Sequence, residues 1–183
     1  MSNESWRIGP ENGALTILTG VGGRAAKMGH RLTIDLTSWS AQADWVDGAP
    51  VSASLTAEVD SLQVRKGEGG VTPLSGPEKG VVRSNALKVF DAKKYPSIEF
   101  SSQDVTAIDG GYRAAGTLRI HGAERPVTVE VSVADDGGQW RLESRTSLRQ
   151  SDFGLKPFSL MMGTLKVADE VTVECSATLA KNG

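Results

Sequence analysis

A single cysteine, Cys175, stands among 183 residues, so no disulfide framework can staple this chain. Two histidines, His30 and His121, leave too few soft ligands for an ordinary zinc site, and no metal or cofactor is expected. Aromatic residues make up 5% and hydrophobic residues 39% of the sequence. Whatever core the chain builds is therefore packed with small side chains. No apolar run approaches the roughly 20 residues of a membrane span, which argues against stable membrane insertion. The opening residues Met1–Arg7 have neither the basic start nor the apolar stretch of a signal peptide. Together with the unpaired thiol, this points to a cytoplasmic setting. Charge of one sign is missing too: 20 Lys and Arg face 22 Asp and Glu, for a net charge of −2. A strongly basic nucleic-acid binder and a polybasic membrane-surface protein are both poor readings of such a balance. The length suits one domain over residues 1–183.

What the chain does have is alternation. Val51, Ala53, Leu55, Ala57 and Val59 occupy every second position, as do Val127, Val129, Val131 and Val133. Val171, Val173, Cys175, Ala177 and Leu179 repeat the pattern, with Ser, Thr and Glu between them. Period two with β-branched residues on one face predicts half-buried antiparallel strands. Weaker copies occur at Leu32-Ile34-Leu36, Leu118-Ile120 and Trp140-Leu142. Short Gly- and Asp-bearing turns separate the runs, at Asp47-Gly48, Asp109-Gly110 and Asp136-Gly137. One segment differs. Ser75-Gly76-Pro77-Glu78 has the spacing of a capping box, and Val82, Ala86, Val89 and Phe90 then follow helical spacing up to Pro96. The expectation is a mainly β protein, an antiparallel barrel of about eight strands with one amphipathic helix over about 76–90 packed near one end. Inward faces of Val, Ala and Cys fit either a barrel with an apolar cavity or a solid two-sheet sandwich.

Motifs for chemistry do not assemble. Asp152-Phe153-Gly154 matches a kinase tripeptide, but no His-Arg-Asp loop accompanies it, and a strand end turning at a glycine explains it better. The glycines of Thr19–Arg24 lack the Lys-Ser/Thr ending of a phosphate loop. No nucleophile, base and oxyanion set can be named, so a binder is expected and not an enzyme. Two alternatives stay open. One is an enzyme acting on a hydrophobic small molecule; the other is a stress-associated interaction module with a filled core.

Four stretches together resemble the YceI-like, polyisoprenoid-binding family. These are Trp6-Arg7-Ile8-Gly9-Pro10, then Phe90 to Ser102 with its Tyr95-Pro96 pair. Gly116-Thr117-Leu118 to Gly122 with Pro126-Val127 follows, and last comes Arg149 to Gly154 with its Asp-Phe-Gly. They occur in the family's order and span nearly the whole chain. The resemblance implies an extended, lipocalin-like antiparallel barrel, capped at one end by a helix, whose apolar pore holds a long isoprenoid chain without metal or catalytic residues. Gly9 stands where the family pattern has Asp.

Candidate residues follow from strand parity and position. Phe90, Phe100, Leu118, Ile120, Trp140, Leu142 and Phe153 are candidates for the cavity wall. Phe158, Leu160 and Met161, with Met162, form an apolar segment that is either a sticky patch or an adaptable lid. For a charged head group the candidates are Arg24, His30 and Arg149, since a phosphate needs paired donors. Cys175 shares the inward parity and should be buried and unreactive. The expected partner is an isoprenoid or other long-chain lipid, with no nucleic acid; a homodimer is compatible with the chain.

Overall fold

A computed structural model describes residues 3–181. The alternating runs form β1 (Asn3–Ile8), β2 (Gly13–Gly22), β3 (His30–Leu36), β4 (Trp39–Val46), β5 (Ala49–Glu58) and β6 (Leu62–Gly69). After helix α1 (Gly76–Phe90) come β7 (Ser97–Ile108), β8 (Gly111–Ile120), β9 (Ala123–Asp136), β10 (Gln139–Arg149), the two-residue β11 (Ser159–Leu160) and β12 (Leu165–Ala180). They make one 12-stranded sheet in the order β1-β4-β5-β7-β8-β9-β10-β12-β2-β3-β6, with β11 on β12 and every ladder antiparallel.

The count exceeds the expected eight for a physical reason. β3 and β4 are two halves of one long strand, and so are β5 and β6, each bent at residues 37–38 and 59–61. Across the bend the halves stay tied, with Glu58 N–H donating to Ser38 O at 2.9 Å and Thr37 Oγ1 to Ser61 O at 2.9 Å. One half pairs with β7 and the other with β2. The terminal strands of the sheet, β1 and β6, are not bonded to each other, and the bent hairpin completes the curl. Its elbow is the most deeply buried part of the molecule: Leu36, Trp39, Ala57, Val59 and Leu62 pack there.

Parity holds along most of each strand and slips at bulges, among them those in β5, in β6 beside Thr33–Ile34 and in β7 between Ser101 and Asp104. Val51 is exposed, contrary to its expected place on the inward face, because the β4–β5 register shifts between Asp44–Ser52 and Trp45–Pro50. A bulge there leaves Val51 as the extra residue and turns Pro50 inward.

The helix starts and stops where its caps dictate. Ser75 Oγ accepts from Glu78 N–H at 3.3 Å, while the Glu78 carboxylate accepts from Ser75 N–H at 2.7 Å. Asp91 closes the other end in the left-handed region at φ 49°. Val82, Ala86, Val89 and Phe90 turn toward the interior, but Val81 points to solvent, so the apolar stripe is narrow. Arg83 docks the helix on the elbow by donating from Nε to Leu62 O at 2.7 Å and from its guanidinium to Asp60 O at 2.6 Å.

Candidate functional site

The hairpin tips at 47–48, 109–110 and 137–138 gather at one end of the curled sheet. The segments 23–29, 70–75, 91–96, 121–122 and 150–164 gather at the other, beside α1. Between them runs a cavity of about 640 Å³, within the range of small-molecule sites. That volume decides for a hollow interior over a solid sandwich. Its middle is walled by small aliphatic residues: Ala53, Val105, Ala114, Val129, Val131 and Val173.

Bulk is confined to the two ends. At the tip end Trp6 lies 4.8 Å from Trp45 and 6.0 Å from Trp140, ring centre to ring centre, and Tyr112 meets Trp45 edge-on at 5.3 Å. Trp6 lines the cavity on one side and a shallow dent of about 230 Å³ on the other, so these rings form a floor. The Trp45 indole N–H is fully buried there with no acceptor among the described residues. At the helix end, Phe90, Phe153 and Phe158 narrow the opening.

The structure brings most of the sequence-derived wall residues to this cavity and leaves out two. Phe90, Phe100, Leu118, Ile120, Leu142, Phe153, Phe158 and Leu160 line it. Trp140 does not. Its ring lies behind Trp6, under the Lys181 ammonium at 4.3 Å, because β10 reaches the barrel rim two residues before Leu142. Met161 does not line it either: it is exposed on the turn after β11, in left-handed backbone at φ 53°.

The head-group candidates do not form a paired-donor site. Arg24 is exposed on the 23–29 loop and away from the wall. Arg149 touches the mouth but has the exposed parity of β10, between inward Leu148 and Gln150. His30 lies at the wall, yet its Nε2 is taken up by Thr72 O at 2.6 Å.

The sequence matches the model of the YceI-like domain over residues 6–179. The chain belongs to the YceI-like family. No curated protein is significantly similar to it in sequence. Among solved structures, Burkholderia cenocepacia BcnA is similar at 21% identity and a TM-score of 0.68, over 91% of this chain and 96% of that one. The Campylobacter jejuni YCEI protein is similar at 15% identity and a TM-score of 0.60, over 82% of this chain and 85% of that one. At such identities the likeness establishes the fold.

Three of the four YceI-like stretches converge at the helix end of the barrel. The Tyr95 ring meets His121 edge-on at 4.7 Å and lies over Gly122, where a Cβ would come within 2.8 Å of it. Gly154, at φ 70°, ends the turn that buries Phe153 and sits beside the same histidine. Gly116 leaves room for the Phe100 ring, which a Cβ would approach to 2.8 Å. The remaining stretch supplies Trp6 to the floor.

Sequence reasoning missed the floor and much of the β2–β3 wall. Leu15, Ile17 and Ile34 line the cavity as well. Trp45 and Tyr112 carried inward parity, but nothing local joins tryptophans on β1 and β4 to a tyrosine on β8.

Cys175 faces this cavity, and burial pushes its thiol up to about 11. The thiol is thus protonated at neutral pH. A disulfide-exchange reagent is expected to leave it unmodified at pH 7.5 in the native protein. Labelling should accelerate only as pH approaches 11 or when denaturant opens the barrel. Fast native labelling at pH 7.5 would show the wall to be open there.

Proposed function

We propose that this YceI-like protein holds a long-chain apolar lipid, of the isoprenoid type, inside its barrel and carries it without acting on it chemically. The observation that carries this reading is the cavity itself, with a small-residue aliphatic middle and an aromatic floor. Each buried methylene contributes about 0.8 kcal/mol, so a long chain binds tightly with no polar constellation to direct it. Membership of the YceI-like family supports the same reading. The aliphatic wall offers little for acid–base work: Cys175 is protonated, His30 is engaged by a backbone carbonyl, and Glu143, Arg149 and Lys166 touch the lining from exposed positions.

The test is to purify the protein without detergent and analyse it by native mass spectrometry and solvent extraction. A polyprenyl or comparable long-chain lipid should be recovered in near-stoichiometric amount. Recovery of no lipid, with no uptake of an added polyprenol, would sink the proposal.

A further inference from the structure

Five of the seven strongly exposed large apolar side chains among the described residues surround one end of the barrel. They are Met28, Val71, Leu160, Met161 and Met162; of the other two, Val51 lies on β5 toward the opposite end and Val81 on the solvent side of α1. Soluble surfaces scatter such residues singly, and their gathering marks an interaction site. Met162 is fully solvent-exposed. The three segments that carry them are held together. Ala25 N–H donates to Thr164 O at 2.7 Å, joining the 23–29 loop to the turn after β11, and the His30–Thr72 contact ties in the 70–74 segment. Met28 and Leu160 also line the cavity, so the patch is the rim of its mouth.

The turn that projects the methionines is unusual in its backbone. Met161 and Met162 both have positive φ, at 53° and 58°, followed by Gly163 at 87°. Consecutive non-glycine residues in that region carry strain and persist where surrounding structure enforces them. Here the Thr164 hydroxyl, donating to Met161 O at 2.8 Å, and the pairing with Ala25 hold the turn.

Charge selects the partner. The segments 23–29, 70–74 and 155–166 contain Arg24, Lys27, Lys156 and Lys166 and no acidic residue. All four cations are exposed, and none forms a salt bridge among the described residues. The neighbouring mouth segments 91–96 and 150–154 add Lys93 and Lys94 against Asp91 and Asp152, and Asp169, which accepts from the Ser151 hydroxyl at 2.5 Å, faces Lys166, so positive charge stays in excess at this end. The chain as a whole is slightly acidic, so the overall balance hides a local basic rim.

We infer that this rim docks the mouth of the barrel onto an anionic lipid bilayer. The methionines and Leu160 enter the acyl boundary and the four cations meet lipid phosphates. Binding is peripheral and reversible, and it presents the cavity to the lipid it exchanges. The inference draws its purpose from the lipid-holding reading, but the two are tested separately.

The experiment is vesicle flotation of the full chain with phosphatidylcholine vesicles, with and without phosphatidylglycerol. Binding should require phosphatidylglycerol and weaken as salt rises. Lys27→Glu with Lys166→Glu should lower the partition coefficient by at least about fivefold per reversed cation. Met161→Ser with Met162→Ser should abolish binding without altering the fold. Met162→Trp should add an emission that shifts to the blue on these vesicles, since Trp6, Trp45 and Trp140 lie at the opposite end of the barrel and Trp39 is buried at the elbow. Equal binding to both vesicle types, or binding unchanged in both double variants, overturns the inference. So does a dimer in sedimentation that the methionine variants dissolve. A chain with the cavity plugged at Ala114 and Val129 should still dock while carrying no lipid, which separates failure of docking from failure of the lipid reading.

Discussion

Phenylalanine at both Ala114 and Val129 will leave the barrel folded and empty. The two residues are direct cross-strand partners on β8 and β9 and both face the cavity at mid-height. Their new rings would project into space that the native walls leave open, so no packed neighbour has to move. Overpacking costs arise where a core is already full, and this stretch is not. Stability should therefore hold or rise as the rings bury apolar surface. The ligand fares differently. A chain halted at that level loses the burial of everything beyond it, and about five methylenes at 0.8 kcal/mol each come to about 4 kcal/mol, roughly a thousandfold in affinity. Extraction of the purified double variant should yield little or no lipid, with melting temperature unchanged or raised. Lipid recovered at the native level from a folded variant would show that it does not bind along the barrel axis.

Leu62→Ala is expected to cost about 2–5 kcal/mol, the range for emptying a buried leucine site that cannot collapse. Leu62 has no exposed surface and sits where the bent hairpin turns back on itself, opposite Leu36 and beside Val59. Arg83 anchors the helix to its carbonyl, so the site is held from both sides. For a domain of this size the melting temperature should fall by about 5–15 °C. Val129→Ala provides the contrast. Its side chain already borders open space, so little dispersion is lost and the cost should stay near the transfer value of its two methyl groups, about 1–2 kcal/mol. Urea titration of both variants measures the difference. Equal losses at the two sites would mean that the elbow carries no special share of the stability.

The same contrast explains what could be read from the sequence. The valine run of β9 announced its inward face because every second residue obeys one parity through 133. The helix was legible from Ser75 and Glu78, whose side chains close both ends of a purely local motif. The bends at 37–38 and 59–61 were not, since neither carries a glycine or proline; only the burial of Trp39, Val59 and Leu62 shows why the strands turn there. Val51 misled because a bulge is decided by pairing between strands and leaves no mark on one strand alone. The floor likewise needed Trp6 and Tyr112, far apart in the chain, to be folded side by side. Arg24 and Arg149 fitted the chemistry of a head-group site, but residue type says nothing about convergence, and both lie exposed.

The aromatic floor has a consequence for the proposed lipid-holding function. A guest held against the Trp6 and Trp45 rings is measured from that end upward. A chain shorter than the depth leaves dry, unfilled space against Trp6 and Trp45 and forfeits their contacts. A longer one protrudes through the mouth, and its exposed tail draws it back out. On the proposed lipid-holding function, Trp6 and Trp45 would then set the chain length that fits best.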